Sequence, residues 1–271
     1  MAEMPPFDQL IRMEIVYRVP GMADVIPRRD VPYAAPGGEA LTMDVYQPPG
    51  APAGSRWPAV LMIHGGPIPK LGAKNMGVFT SYGRLLAASG FVAVTFNHRF
   101  LGPERLLDAA SDVREAFAYV VEHAAELGVD PNRLAVWAFS GGGPFLSLAL
   151  AGQLPPARAL VSYYAALDLQ EKPPGASSAL TDENRRDFSP VHHVRALAGR
   201  IPPILVARGG LDYPFLNAGV DRFVAEALAE NACLDLLNHP TGRHAFDILD
   251  DDERSREIIV RTLEFLRIRL A

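Results

Sequence analysis

Six short apolar runs punctuate residues 59–237, and none of them alternates with polar residues. They are Ala59–Ile63, Phe91–Phe96, Arg133–Phe139, Ala159–Tyr164, Ile204–Ala207 and Cys233–Leu237. Each has the length of a strand, and an unalternated run suits a strand buried on both faces, as in a parallel sheet. Segments of helical period lie between them: Val78–Ser89, Leu106–Leu127, Gly142–Ala151, Ala218–Ala229 and, after the last run, Ser255–Leu270. Gly90 and Gly128 stand where the first two of these should stop, as C′ glycines do. This regular alternation predicts one doubly wound α/β domain, a mostly parallel sheet flanked by helices.

The rest of the chain is less constrained. Leu41–Tyr46 alternates with period two, as a half-buried strand does. Residues 1–30 read as an N-terminal extension. Within it Phe7, Leu10, Ile11, Met13 and Ile15 suit a short helix ended near Pro20-Gly21. That helix has no obvious place in the sheet, so it either covers an active-site mouth or mediates a homodimer. Residues 168–200 are polar and Pro-rich, then briefly helical. They read as a small lid-like excursion or a disordered crossover. No internal repeat or linker splits the chain, so a single domain is expected over 1–271.

Charge and cysteine content narrow the function. The chain has 26 Lys+Arg against 31 Asp+Glu, a formal net charge of -5, so neither nucleic acid nor an anionic membrane surface is expected as a partner. A lone cysteine, Cys233, cannot form an internal disulfide or a paired-cysteine zinc site. No apolar run reaches the ~18 residues of a membrane helix. The N-terminal stretch lacks the apolar centre of an export leader, so the expected compartment is the cytoplasm.

Four loops carry the residues suited to chemistry, and each follows an apolar run. Ala138-Phe139-Ser140-Gly141-Gly142-Gly143 joins a buried strand to a helix. That turn exposes the Ser140 hydroxyl and leaves the Gly141 N–H free at a helix start, where a developing oxyanion can use it. His64-Gly65-Gly66-Pro67 ends the first run. Gly65 and Gly66 are candidate oxyanion donors through their backbone N–H groups, and His64 reads as a loop-shaping residue. Asp212, in Arg208-Gly-Gly-Leu-Asp212, is the candidate carboxylate for orienting an imidazole, with Asp168 as the alternative. His244, in Thr241-Gly-Arg-His244, is the histidine best placed to reach the serine, because His98, His123, His192 and His193 precede the acid and His239 is crowded by Pro240.

The order Ser140, Asp212, His244, each just past a strand, resembles that of the α/β-hydrolase superfamily, and the resemblance covers about residues 40–271. The HGGP loop and SGGG elbow are similar to those of the esterase/lipase and dienelactone-hydrolase-like groups. Two departures are Ala138 for the first elbow glycine and Phe139 where the hormone-sensitive-lipase group has an acid. The resemblance implies the α/β-hydrolase fold and a serine hydrolase that forms an acyl-enzyme without metal or organic cofactor. The expected substrate is a small or short-acyl carboxylic ester. Lactone, thioester or peptide cleavage on the same fold is an alternative, as is an inactive binding protein. Phe139, Tyr164, Tyr213 and Phe215 lie near strand ends and are candidates for the substrate pocket.

Overall fold

The computed structural model describes residues 5–52, 54–68, 70–170, 179–197 and 201–271. Eight strands form one sheet: β1 (Arg28–Ala34), β2 (Leu41–Tyr46), β3 (Trp57–Ile63), β4 (Val92–Phe96), β5 (Val129–Phe139), β6 (Ala159–Tyr163), β7 (Ile204–Gly209) and β8 (Leu234–His239). Their order is β1-β2-β4-β3-β5-β6-β7-β8. β3 to β8 run parallel, and β2 pairs antiparallel with β1 and β4. The fold class expected from the apolar runs is the one observed. The described helices are α1 (Phe7–Leu10), α2 (Gly77–Ala88), α3 (Leu106–Glu122), α4 (Leu146–Leu150), α5 (Asp182–Asp187), α6 (Pro190–Leu197), α7 (Pro214–Ala229), α8 (Phe246–Leu249) and α9 (Glu253–Arg269). None of them is long and apolar enough to cross a membrane.

The unalternated runs divide their residues between two cores. Leu134, Val136 and Ala138 of β5 face one layer, with residues of α3, α4, α6 and α7. Ala135, Trp137 and Phe139 face the other, with residues of α2, α8 and α9. Period-two geometry sends neighbouring residues to opposite faces, so a strand buried on both sides must be apolar throughout.

Chain direction sets where a site can form. From β3 the chain passes through α2 to β4 on one side, then crosses through α3 to β5 on the other. The loops after β3 and β5 therefore face each other across the crevice that open α/β sheets use for ligands.

Several sequence expectations change. The helix read over residues 7–15 is only α1, and the apolar residues after it serve as core: Ile15, Met22 and Val25 are buried. The Gly77 amide donates to Ile11 O at 2.8 Å and the Val16 amide to Asp247 O at 2.9 Å, so this segment is bound along α2 and α8. The first seven-residue strand, β1, begins inside the supposed extension. The helix expected from Gly142 is a 3-10 turn over Ser140–Phe145 followed by α4, because Pro144 has no N–H to donate within it. Within 168–200, residues 171–178 and 198–200 lie outside the described residues. The remainder forms α5 and α6, and Phe188 between them enters the core shared with α4 and α7 together with Val191 and Val194 of α6. Finally, Lys74 is buried beyond the β3 loop. Its Nζ donates to Asp44 at 2.6 Å and Asp30 at 2.8 Å, tying that loop to the antiparallel edge.

Candidate active site

β5 delivers Ser140 into a strained turn. Its φ is 49°, a left-handed conformation that costs a non-glycine residue free energy and persists only where the surroundings enforce it. The enforcement comes from close backbone contact. A Cβ at position 141 would stand 1.9 Å from Gly66 O, one at 142 would be 2.7 Å from the carbonyls of Ile63 and His64, and one at 143 would be 2.5 Å from Ala166 O. Only glycines allow the elbow to lie against the loops after β3 and β6. Gly141 is the second residue of the 3-10 turn, so its amide is among those a helix start leaves without an acceptor in the helix.

Three loops bring Ser140, His244 and Asp212 into one hydrogen-bonded line. The Ser140 Oγ–His244 Nε2 distance is 2.9 Å. His244 Nδ1 lies 2.9 Å from Asp212 Oδ1 and 3.0 Å from Oδ2. A carboxylate can only accept, so Nδ1 carries the proton and Nε2 is left to accept from the serine hydroxyl. The Tyr213 amide donates to Asp212 Oδ1 at 2.6 Å, which fixes the carboxylate. The His244 loop is held as firmly. The Arg243 amide and Nε donate to Asp250 at 2.8 and 2.6 Å, and Nη2 to Leu249 O at 2.6 Å. Across to the β7 loop, the Gly210 amide donates to His239 O at 2.7 Å and the Leu211 amide to Gly242 O at 2.9 Å. Asp168, the alternative acid, is engaged elsewhere, with Arg222 and the Gln170 amide.

The β3 loop lies against the serine. A Cβ on Gly65 would come 2.9 Å from the Ser140 Cβ. The amides of Gly65 and Gly66 make no hydrogen bond to another described residue. His64 is buried beneath them, and burial pulls its imidazole down to about 4.

A buried polar cluster stands behind His244. The Tyr164 ring meets the imidazole edge-on at 4.9 Å. Its hydroxyl donates to Asp247 Oδ1 at 2.9 Å, and Tyr82 donates to Oδ2 at 2.9 Å. Burial pushes the Asp247 carboxyl up to about 6, against the opposing pull of the two phenol donors. Burial and the Asp247 charge hold both phenols well above the usual tyrosine range, so they remain donors.

The four pocket candidates separate into two pairs. Phe139 is 2 % exposed and packs on Trp137, Tyr82 and Phe79, which makes it a core residue in place of the pocket role read from the sequence. Tyr164, 4 % exposed, is the wall behind His244. Tyr213 and Phe215 are partly exposed and stack on each other at 5.8 Å, and the Tyr213 ring is 5.4 Å from His244. Sequence reasoning passed over Tyr82, Asp247 and a role for His98. Only Asp247 left a local signal, three residues after His244 in His-Ala-Phe-Asp.

Comparison with known proteins agrees with this architecture. The family profile BD-FAE matches residues 43–155. Esterase LipQ of Mycobacterium tuberculosis (strain ATCC 25618 / H37Rv) is 26% identical over an alignment covering 88% of this chain and 62% of that protein. The chain spans less than two thirds of the length of the curated relatives it matches. Among solved structures, the butyrate-bound esterase Est2 of Thermogutta terrifontis superposes with a TM-score of 0.71 at 20% identity, covering 92% of this chain and 95% of that one. The same enzyme phosphorylated by paraoxon superposes with a TM-score of 0.67 at 21% identity, covering 92% and 94%. At these identities the structural likeness establishes the fold.

Proposed function

We propose that the chain is a serine hydrolase of the α/β-hydrolase superfamily that acts on small, short-acyl carboxylic esters. The observation that carries this reading is the continuous line from the Ser140 hydroxyl through His244 to Asp212, with donor–acceptor separations of 2.9 Å at both links. Ser140 attacks the acyl carbonyl while His244 Nε2 takes its proton. Asp212 holds the imidazole in the tautomer that can accept, and stabilises the imidazolium once formed. The amides of Gly65, Gly66 and Gly141 receive the negative charge that develops on the carbonyl oxygen. In enzymes of this type, losing one such donor costs about 10²–10³ in turnover. His244 then protonates the departing alcohol, leaving an acyl-serine. Water, deprotonated by the same imidazole, attacks the acyl carbonyl, and the imidazolium returns the proton to Ser140 Oγ as the acid leaves.

Substrate size is read from Tyr213 and Phe215, whose partly exposed stack beside His244 offers an apolar edge to a small ester. The names of the relatives support an ester as substrate, and the butyrate in the Thermogutta terrifontis esterase supports a short acyl group. The phosphorylation of that enzyme by paraoxon supports an activated nucleophile on this fold.

The test is turnover of p-nitrophenyl esters from acetate to palmitate by wild type and Ser140→Ala. Activity concentrated at the short end and abolished in the variant is expected. A variant that keeps near-wild-type turnover, or a preference for palmitate, overturns the reading.

A further inference from the structure

Two imidazoles lie buried under the loop that follows β3, and both hold on to its backbone. His64 and His98 stack with ring centroids 3.5 Å apart and planes 4° from parallel. Their partners assign both tautomers. His64 Nδ1 is 2.6 Å from Gly65 O, so it carries the proton and donates. His64 Nε2 accepts from the backbone N–H of His98 at 3.3 Å. His98 Nε2 is 3.3 Å from His64 O, so it too is protonated and donates. Each ring therefore grips one carbonyl, and the two carbonyls belong to successive peptide planes.

Peptide planarity turns that grip into an aim. In a trans peptide, the C=O and N–H of one plane point in opposite directions. The peptide planes His64–Gly65 and Gly65–Gly66 are both trans, since the cis bond recorded in this loop is the next one, Gly66-Pro67. Holding His64 O fixes the direction of the Gly65 N–H. Holding Gly65 O fixes that of the Gly66 N–H. Both amides stand beside Ser140 and lack a partner among the described residues. We propose that His98 and His64 are positioning residues, a neutral stacked pair that aims the Gly65 and Gly66 amides at the oxygen of the reacting ester. This rests on the ester-hydrolase reading and specifies how its oxyanion donors are held.

Packing alone does not account for a histidine at position 98. Its Nδ1 is buried with no hydrogen-bond partner among the described residues. Phe96, Phe100 and Phe145 surround it, with ring centroids 6.0, 6.5 and 5.2 Å away. Phenylalanine would suit this aromatic nest without stranding an acceptor, which is a cost to folding. What phenylalanine lacks is the N–H that holds His64 O. Burial keeps both imidazoles neutral, His98 being pulled well below the usual histidine range.

The experiment compares wild type, His98→Phe, His98→Gln and Ser140→Ala by thermal melting, by kcat and KM on p-nitrophenyl butyrate, and by inhibition with an alkylboronic acid that forms a tetrahedral serine adduct. His98→Phe keeps the stack and loses the donor. Its melting temperature should equal or exceed that of wild type. Because aim is lost but the amides remain, kcat should fall about 10- to 100-fold with KM little changed, and the boronic acid should bind more weakly by a similar factor. His98→Gln replaces the Nε2 donor and should recover part of kcat. If wild type is active and His98→Phe retains its kcat and boronate affinity, the positioning role is overturned. Loss of folding or a parallel drop in melting temperature and kcat overturns it as well, in favour of a structural role. An inactive wild type overturns the hydrolase reading itself, a result that Ser140→Ala alone cannot mimic.

Discussion

His64 and His244 belong to two loops that meet at the same serine, and their surroundings make them opposite tools. His64 is fully buried, and both of its nitrogens are committed to backbone groups. Burial holds it neutral, so it serves as a fixed bracket. The His244 side chain is 15% exposed, with one nitrogen on a carboxylate and the other on a hydroxyl. An imidazolium formed there has a counter-charge in contact. Exposure and partner, rather than residue type, decide whether a histidine moves a proton or holds a loop.

The contrast is sharpest where the proton must move. His244→Ala should lower kcat by about 10⁴-fold or more. Its melting temperature should stay close to wild type, because the loop is held independently through Arg243 and Asp250. A large fall in stability with modest loss of kcat would assign His244 a structural role instead. The two strand-end carboxylates extend the comparison. Asp212→Asn should cost about 10³–10⁴ in kcat by favouring the wrong tautomer. Asp168→Asn should leave kcat near wild type and lower the melting temperature, because it weakens a contact with Arg222. Steady-state kinetics of the pair decides between them, and a reversed pattern would exchange their roles.

Two buried groups should also oppose each other in acid, a smaller effect. His64 drops from an ordinary value of 6.5 to about 4, so the unfolded chain takes up its proton first. Its contribution is present above pH 6.5 and is lost as pH falls through 4. Asp247 rises from 3.8 to about 6, so its contribution is present below pH 3.8 and is lost as pH rises through 6. Each amounts to about 3 kcal/mol, which flattens the net profile. Asp247→Asn should therefore gain about 2 kcal/mol on wild type between pH 4 and 7, measured by denaturant titration at several pH values. Parallel profiles would show that Asp247 does not titrate in that window. The mildest change is Tyr164→Phe. It removes one of two donors to Asp247 but keeps the ring on His244, so kcat should fall less than tenfold and stability by about 1 kcal/mol.

The sheet was legible in the sequence wherever both faces of a strand are buried, as in β3 to β7. β1 was not, because Arg28, Arg29 and Asp30 are exposed and only Val31 and Tyr33 are buried in this edge strand. The elbow and the loops bearing Asp212 and His244 could be placed because each follows an apolar run. Phe139 could have been read as core from Trp137 two residues before it, on the same face of β5. The supports of the site left little local signal. Tyr82 meets Asp247 across 165 residues and His98 meets His64 across 34, pairings that only the folded sheet creates.

The central claim is that Ser140 is the activated nucleophile, and covalent labelling tests it most directly. Wild type treated with a fluorophosphonate should gain one adduct by intact mass, mapped to the peptide bearing Ser140, with ester turnover lost in step. Labelling at another residue, or full ester turnover by a protein that stays unlabelled, would contradict it.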